Sequence, residues 1–134
     1  MAEAKRRVAI IASQGGLDAA YKVLNIATAA AATDAEVAIF FTFEGLSIIR
    51  KDAESTLTMG PGKEHWMEGF KRANVPTIAE LLDVARESGV KLIACQMTMD
   101  VMGMTVDDFI NGVEAGGAVT FLDFAYDADV TVTF

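Results

Sequence analysis

A chain of 134 residues, 52% hydrophobic and 22% charged, is long enough to bury one core and has the composition of a folded domain. Its net charge of −8 gives it few of the cations that a nucleic-acid backbone attracts, so we expect no nucleic-acid partner. Its apolar runs fall short of the roughly 20 residues of a membrane-spanning helix, so we expect no membrane span.

The single cysteine, Cys95, limits the chemistry that this chain performs alone. It has no internal partner for a disulfide, for a redox pair or for a multi-cysteine zinc site. The first apolar run, which ends at Ala12, is too short for a signal peptide. We therefore expect one cytoplasmic domain over residues 1–134, without metal or cofactor, whose disulfide chemistry involves a second molecule.

The first third of the chain has the pattern of a strand, a helix and a strand. An apolar run over residues 7–13 predicts a buried strand. Apolar residues at helical spacing predict a helix over residues 17–32. Residues 36–43 are rich in β-branched and aromatic side chains, which favours a second strand.

The pattern weakens over residues 44–76, which we call the lid segment. Residues 45–51 and 63–73 have weak helical patterns, and the sequence MGPG at residues 59–62 is typical of a turn. A connection of this length is usually a functional loop.

The second half predicts two more helices and three more strands. Thr77 and Glu80 form a capping-box pattern before a helix that ends at Gly89. Further helix and strand patterns follow it. The predicted elements are a strand over residues 90–95, a helix from residue 105 to Gly116, a strand over residues 118–122 and an edge strand over residues 130–134. This order predicts a mainly parallel five-stranded sheet with helices on both faces, a three-layer α/β/α fold.

Ligands of open α/β sheets bind beyond the carboxyl ends of the strands. The loops that begin at Ser13, Phe43 and Cys95 are expected to meet there. Thr98 can cap a short helical turn after Cys95, whose backbone N–H groups would favour the reactive thiolate. The alternative is that Cys95 is a small buried hydrophobe at the end of a strand.

Other candidate residues also have a structural interpretation. Gly15 and Gly16 could bind an anion on their N–H groups, or could simply form a tight turn. The only histidine, His65, could donate a proton near the thiol or could be an ordinary surface residue. Four methionines after Cys95 could fill the core, bind Cu(I) or line a thiol pocket; they are Met97, Met99, Met102 and Met104.

Three stretches together resemble the DsrE/DsrF/DsrH-like sulfur-relay family. They are residues 41–51 (FTFEGLSIIRK), residues 93–103 (IACQMTMDVMG) and residues 120–123 (TFLD). The resemblance implies a flavodoxin-like fold, a homo-oligomer, and a cysteine at position 95 that accepts sulfane sulfur as a persulfide or thiosulfonate. It also implies a sulfur donor of the polysulfide, thiosulfate or tetrathionate class, and an acceptor protein.

We therefore predict a sulfur carrier or sulfurtransferase with Cys95 as the sulfur-bearing residue. The predicted substrate contacts come from the three loops; they are Gly15, Gly16, Phe43, Gly45, Gln96, Met97 and Thr98. Two other functions remain open at this point. One is a module that binds an anion or a nucleotide at Gly15 and Gly16, and the other is a structural subunit of a sulfur-relay complex with an unreactive Cys95.

Overall fold

The structure, a computed structural model, describes residues 5–134; the first four residues of the predicted domain lie outside this range. The described residues form five strands and six helices. The strands are β1 (Arg7–Ala12), β2 (Glu36–Phe41), β3 (Lys91–Cys95), β4 (Val113–Gly116) and β5 (Val130–Thr133). The helices are α1 (Leu17–Ala32), α2 (Ala53–Thr56), α3 (Trp66–Arg72), α4 (Ile78–Glu87), α5 (Gln96–Met102) and α6 (Ala118–Ala125). Two 3-10 helices cover Phe43–Ile49 and Val106–Asp108.

The five strands form one parallel sheet in the order β4-β3-β2-β1-β5. The predicted α/β class and the parallel five-stranded sheet with helices on both faces are confirmed. The strand order differs from the 2-1-3-4-5 order of flavodoxin itself. β1, β2 and β3 are neighbours, so their carboxyl ends lie side by side at one edge.

The larger core covers one face of the sheet. α1 and α4 pack there against strand residues such as Ile10, Ile39 and Leu92. α1 buries an alanine-rich stripe, which lets it approach the sheet closely. Thr77 begins α4, and its Oγ1 accepts a hydrogen bond of 3.1 Å from the N–H of Glu80, so half of the predicted capping box forms.

The smaller core covers the opposite face, where α6 packs on the sheet. Phe121 of α6 stacks on Phe40 of β2 with ring centroids 5.2 Å apart, and Phe124 is buried beside them. Strand side chains alternate between the two faces of a sheet, and Cys95 belongs to this second core. The thiol therefore lies under α6 rather than under α1 and α4.

The prediction of one long helix after Thr105 is wrong. Thr105 and Asp108 do form a reciprocal capping box, but the helix ends after three residues. Phe109 then adopts an extended backbone and is buried, and Gly112 turns the chain at φ +94°. Strand β4 follows where a helix was predicted.

The predicted strand over residues 118–122 is also wrong, because these residues begin α6. A short apolar run does not distinguish a buried strand from a buried helix, and its valine, threonine and phenylalanine favoured the strand. Pairing of β4 with β3 supplies the fifth strand instead, with Leu92 opposite Val113. The other strands and the first helix agree with the predicted ranges to within two residues.

The last part of the lid segment, residues 63–76, is held by few contacts. None of the residues of α3 is buried. Phe70 of α3 stacks on Tyr21 of α1 with centroids 4.6 Å apart, and the Tyr21 hydroxyl donates to the carbonyl of Pro76 at 2.8 Å. The Lys63 ammonium lies 3.1 Å from the Asp18 carboxylate. Residues 63–76 are therefore attached to α1 by one aromatic stack, one hydroxyl and one ion pair, whereas the earlier part of the lid segment is anchored in the core by Leu46, Ile48 and Ile49.

The Asp18→Asn variant should loosen this attachment in a pH-dependent way. The Lys63 ammonium lowers the pKa of Asp18 from its ordinary value of 3.8, although burial opposes this effect. Because the pKa of Asp18 is lowered in the folded protein, the ion pair stabilises the fold fully at pH values above the ordinary pKa. This stabilisation is lost as the pH falls through the pKa of the folded protein. Amide hydrogen exchange over residues 58–72 should therefore be faster in Asp18→Asn than in wild type at neutral pH. The difference should disappear in acid; an equal difference at both pH values would contradict this assignment.

Candidate functional site

The ends of β2 and β3 bring Cys95 and Thr42 together. Cys95 is the last residue of β3 and the N-cap of α5. The register pairs Phe41 with Ala94, so Thr42 lies beside Cys95 at the next position. Because side chains at paired positions point to the same face, the Thr42 hydroxyl and the thiol face the same side of the sheet.

Four hydrogen-bond donors act on the Cys95 sulfur. Burial alone would raise the pKa of this thiol, since the side chain is 5% exposed. The hydroxyl and N–H of Thr98, the hydroxyl of Thr42 and the N–H of Met97 outweigh burial, so the pKa lies below its ordinary value. The thiol is therefore poised to ionise, and the thiolate is the form that attacks sulfur.

Thr98 is the one buried polar side chain among residues 5–134, with 2% exposure. Its Oγ1 accepts a hydrogen bond of 3.2 Å from the N–H of Phe43 and lies 3.4 Å from the Oγ1 of Thr42. A buried hydroxyl costs free energy unless it is paired, and here both of its neighbours belong to the site. Thr98 thus joins the start of α5 to the end of β2.

Phe43 adopts a backbone conformation that is unfavourable for a bulky residue. Its φ is +51°, and its side chain is 55% exposed. The other non-glycine residues with positive φ among the described residues are Asp34 and Asn74, types that tolerate the left-handed region. This conformation aims the Phe43 N–H at Thr98 while the ring stays at the surface beside the site.

Substitutions at Phe43 test this strain directly. We expect the free energy of unfolding of Phe43→Gly to lie within about 1 kcal/mol of the wild-type value, because relief of the strain offsets the greater chain entropy of glycine. Phe43→Val should be less stable than Phe43→Gly by about 1–2 kcal/mol, because a β-branched side chain suits this backbone poorly. Urea unfolding of the two variants measures the order, and equal stabilities would contradict the assignment.

The structure places the predicted contact residues in four different settings. Met97 and Thr98 donate hydrogen bonds to the Cys95 sulfur, and Phe43 reaches the site through its hydrogen bond to Thr98. Gln96, by contrast, is exposed, and its amide nitrogen donates to Asp100 at 2.9 Å along the outer side of α5.

Gly15 and Gly16 line a neighbouring cavity of about 360 Å³ that shares Phe43 with the cysteine site. Arg50 and Glu44 give this cavity one side chain of each charge, and Met102 and Met104 give it apolar walls; its lining residues are Gly15, Gly16, Phe43, Glu44, Leu46, Ser47, Arg50, Met102 and Met104. The two glycines therefore lie next to the cysteine site without touching the sulfur.

Gly45 has a packing role in this arrangement. A Cβ at this position would lie 1.9 Å from the carbonyl oxygen of Ala12, which also accepts the N–H of Thr42 at 3.0 Å. Glycine at position 45 thus lets the 3-10 helix Phe43–Ile49 rest on the end of β1.

The turn at Gly16 is closed by the protein's own groups. The first amide of α1, that of Leu17, donates to the carbonyl of Thr58 at 2.8 Å. The Asp18 carboxylate lies beside Gly16 and Gly60 and pairs with Lys63. A carboxylate already stands where the anion-binding interpretation would place a ligand, so this geometry favours the tight-turn interpretation.

Thr42 is the site residue that the sequence interpretation missed, because it was placed inside the second strand. The available indication was its position directly after a run of apolar residues, where parallel strands carry functional side chains. His65 is exposed and packs edge-on against Trp66 in the lid segment. Of the four methionines, Met99 is buried, Met104 is partly buried and Met97 and Met102 are exposed; they divide between core and surface.

Residues 5–134 contain no cluster of three His, Cys, Asp or Glu side chains suited to a metal ion. In the same part of the chain, every helix is too short or too polar to cross a membrane.

The fold and the site together define a class of protein: a three-layer α/β domain with one thiol of lowered pKa at the carboxyl edge of its sheet. The model of the DsrE/DsrF/DrsH-like family matches residues 4–72 and 58–133. The chain belongs to this family. A relative from Allochromatium vinosum, named sulfur carrier protein DsrE2, is 36% identical over 94% of this chain and 96% of its own length.

Other proteins are similar to this chain along most of its length. The uncharacterized protein YrkE of Bacillus subtilis is 29% identical over 98% of this chain and 99% of its own length. Among solved structures, the E. coli YchN protein superposes with a TM-score of 0.69 at 18% identity and covers 98% of this chain and 100% of its own. MTH1491 from Methanobacterium thermoautotrophicum gives 0.64 at 14% identity, with 96% and 99% covered. At these identities the two structures show the shared fold alone.

Proposed function

We propose that this protein carries sulfane sulfur on Cys95 and passes it to an acceptor protein. The observation that carries the proposal is the set of donors around the Cys95 sulfur, which lowers the pKa of the thiol in spite of its burial. The sulfur-carrier name of the 36% identical relative supports the same function. The sulfur donor is an anionic sulfane-sulfur compound of the polysulfide, thiosulfate or tetrathionate class.

The proposed transfer balances without an added oxidant. With a polysulfide, the Cys95 thiolate attacks a sulfane sulfur, a new S–S bond forms, and the shortened polysulfide leaves with the electron pair of the broken bond. With tetrathionate, attack on an inner sulfur releases thiosulfate and leaves a thiosulfonate on Cys95. In the polysulfide route the acceptor thiolate then attacks the outer sulfur of the Cys95 persulfide, and the Cys95 thiolate leaves. In the tetrathionate route the acceptor thiolate attacks the sulfur between Cys95 and the sulfonate, so that the thiosulfonate passes to the acceptor and the Cys95 thiolate leaves.

The shallow burial of Cys95 suits a carrier. A persulfide exposed to solution reacts with any thiol or oxidant that it meets, whereas one at 5% exposure is shielded between encounters. The adjoining Met97 and Phe43 side chains are 59% and 55% exposed, so they are free to change rotamer rapidly when a partner approaches.

The setting in which the carrier works is part of the proposal. A lone thiol stays reduced most readily in the cytoplasm, where we place the protein. We also propose a homo-oligomer, since the outer side of α6 exposes the apolar side chains of Val119, Leu122 and Tyr126. Partners with basic surfaces would complement the net charge of −8.

The test is delivery of sulfur to a second thiol. The reduced protein is loaded with polysulfide, desalted, and mixed under native conditions with a cysteine-containing acceptor, and both intact masses are followed. We expect sulfur atoms lost by the loaded protein to appear on the acceptor. Sulfur that stays on the protein, or that leaves without reaching the acceptor, would contradict a carrier role.

A second candidate function is that of a structural subunit of a sulfur-relay complex, which the low exposure of Cys95 favours. Alkylation of the native protein separates the two functions. Labelling of Cys95 in the folded protein supports the carrier. Labelling only after unfolding supports the structural subunit.

A further inference from the structure

We infer that the hydroxyls of Thr42 and Thr98 are a pair of positioning groups that hold the Cys95 sulfur as a thiolate without any positive charge. The inference rests on the proposed function only for what the hydroxyl pair is used for. The arrangement of the three side chains does not depend on that function. Thr42 follows β2, Thr98 lies in the first turn of α5, and Cys95 stands between them at the end of β3.

The direction of the hydrogen bonds follows from which atoms carry a proton to donate. Phe43 donates its N–H to the Oγ1 of Thr98, which leaves the hydroxyl proton of Thr98 to be donated elsewhere. The groups within its reach are the Cys95 sulfur and the Oγ1 of Thr42, 3.4 Å away. A thiolate accepts hydrogen bonds and donates none, so both hydroxyl protons turn toward it once the thiol ionises.

The backbone of Phe43 is what maintains this direction. Its φ of +51° aims the N–H at Thr98, a conformation that costs about 1–2 kcal/mol in a non-glycine residue. The surrounding turn holds it there, since the N–H of Gly45 donates to the carbonyl of Thr42 at 2.9 Å. The strain at Phe43 therefore serves the orientation of Thr98.

The elements at the carboxyl edge of the sheet around the thiol carry no basic residue; Arg7 and Lys91 begin β1 and β3 at the opposite edge, where both lie over the Phe124 ring. The 3-10 helix Phe43–Ile49, α5, β4 and α6 contribute only carboxylates, which are Glu44, Asp100, Glu114 and Asp123. Lys91 begins β3, about 13 Å from Cys95 along an extended strand. Arg50 follows the 3-10 helix and pairs with Asp52 at 3.0 Å.

Carboxylates near a thiol oppose its ionisation because like charges repel, and no charged group is among the causes of the Cys95 pKa shift. The lowering of the Cys95 pKa must then come from neutral donors, namely two hydroxyls and the first N–H groups of α5. An anionic sulfur donor consequently meets no positively charged side chain at the Cys95 sulfur. The reactivity of the thiolate depends instead on hydrogen-bond dipoles, which salt does not screen.

The variants Thr98→Val and Thr42→Val test the inference, with Thr98→Ser as the matched control that keeps the hydroxyl. The rate of Cys95 alkylation is measured against pH in the full-length chain, and circular dichroism and the Tm check folding. We expect each valine variant to react about tenfold more slowly below the thiol pKa, with a midpoint at higher pH. Thr98→Ser should retain the wild-type midpoint.

Salt gives a second measurement that does not depend on any variant. Raising the ionic strength to about 1 M, where the screening length is about 3 Å, should leave the wild-type midpoint unchanged or lower it slightly. A midpoint that rises with salt would show that a cation holds the thiolate, and would overturn the inference. Valine variants that fold and titrate like wild type would overturn it as well.

The same experiments keep this inference separate from the proposed function. If the midpoints shift as expected while the wild-type protein gains no sulfur from polysulfide, the carrier proposal fails and the positioning role stands. If the protein loads sulfur with unchanged midpoints in the valine variants, the carrier proposal stands and the positioning role fails.

Discussion

The Cys95→Ser variant is expected to lose all reversible sulfur loading while it keeps the fold. Serine fills nearly the same volume at a position that is 5% exposed, so the packing against Phe40 and Phe121 should survive. An alcohol does not form a persulfide under these conditions, because its oxygen is a far weaker nucleophile toward sulfur than a thiolate. Sulfane sulfur released by cyanide after polysulfide treatment measures the loss.

A displaced cysteine provides the matched control. Thr77 is an exposed N-cap at the start of α4, so the double variant Cys95→Ser, Thr77→Cys carries one thiol at another helix N-terminus. It lacks the hydroxyl pair of the natural site. We expect it to load more slowly and to lose its sulfur to added thiols faster than wild type does. Equal loading and retention at position 77 would show that any accessible thiol of this chain suffices.

The Gly45→Ala variant should have the largest effect on stability. The added Cβ would lie 1.9 Å from the carbonyl oxygen and 2.7 Å from the carbonyl carbon of Ala12, so strand backbone would have to move. Overpacking of this kind costs about 3 kcal/mol of unfolding free energy. The displaced 3-10 helix would also carry Thr42 and Phe43 away from Cys95, and alkylation at neutral pH should slow.

Gly69→Ala is the control for this prediction. Gly69 lies inside α3, where a Cβ would meet only the end of the Arg72 side chain, at 3.8 Å. Alanine favours a helix interior by about 1 kcal/mol over glycine, so this variant should be as stable as wild type or slightly more stable. Urea denaturation compares the two variants, and similar losses in both would contradict the close packing at Gly45.

The strands were predictable where their burial gives a simple pattern of apolar residues in the sequence. β1, β2 and β3 are buried on both faces and appear as continuous apolar runs, and β5 at the edge alternates. The region after Thr105 was not predictable in this way. Its capping box is genuine, but the buried Phe109 and the turn at Gly112 end the helix after one turn. Tertiary packing determines where this helix ends, and local helix propensity does not predict it.

The cysteine could be singled out from sequence because chain order places it at the end of a parallel strand. The neighbours that determine its chemistry could not, since Thr42 and Thr98 are 56 residues apart and meet only through the register of β2 on β3. The positive φ of Phe43 likewise has no sequence signature, because phenylalanine is not a residue that turns usually select. The role of Gly45 appears only once the close approach to Ala12 is seen.

Sulfur loading of Cys95 is tested most directly by intact mass spectrometry of the reduced wild-type protein before and after exposure to polysulfide, thiosulfate or tetrathionate. We expect a gain of whole sulfur atoms, or of one thiosulfate unit, that maps to Cys95 and disappears on addition of a reductant. An unchanged mass with all three donors, together with resistance of native Cys95 to alkylation, would contradict it and identify a structural thiol.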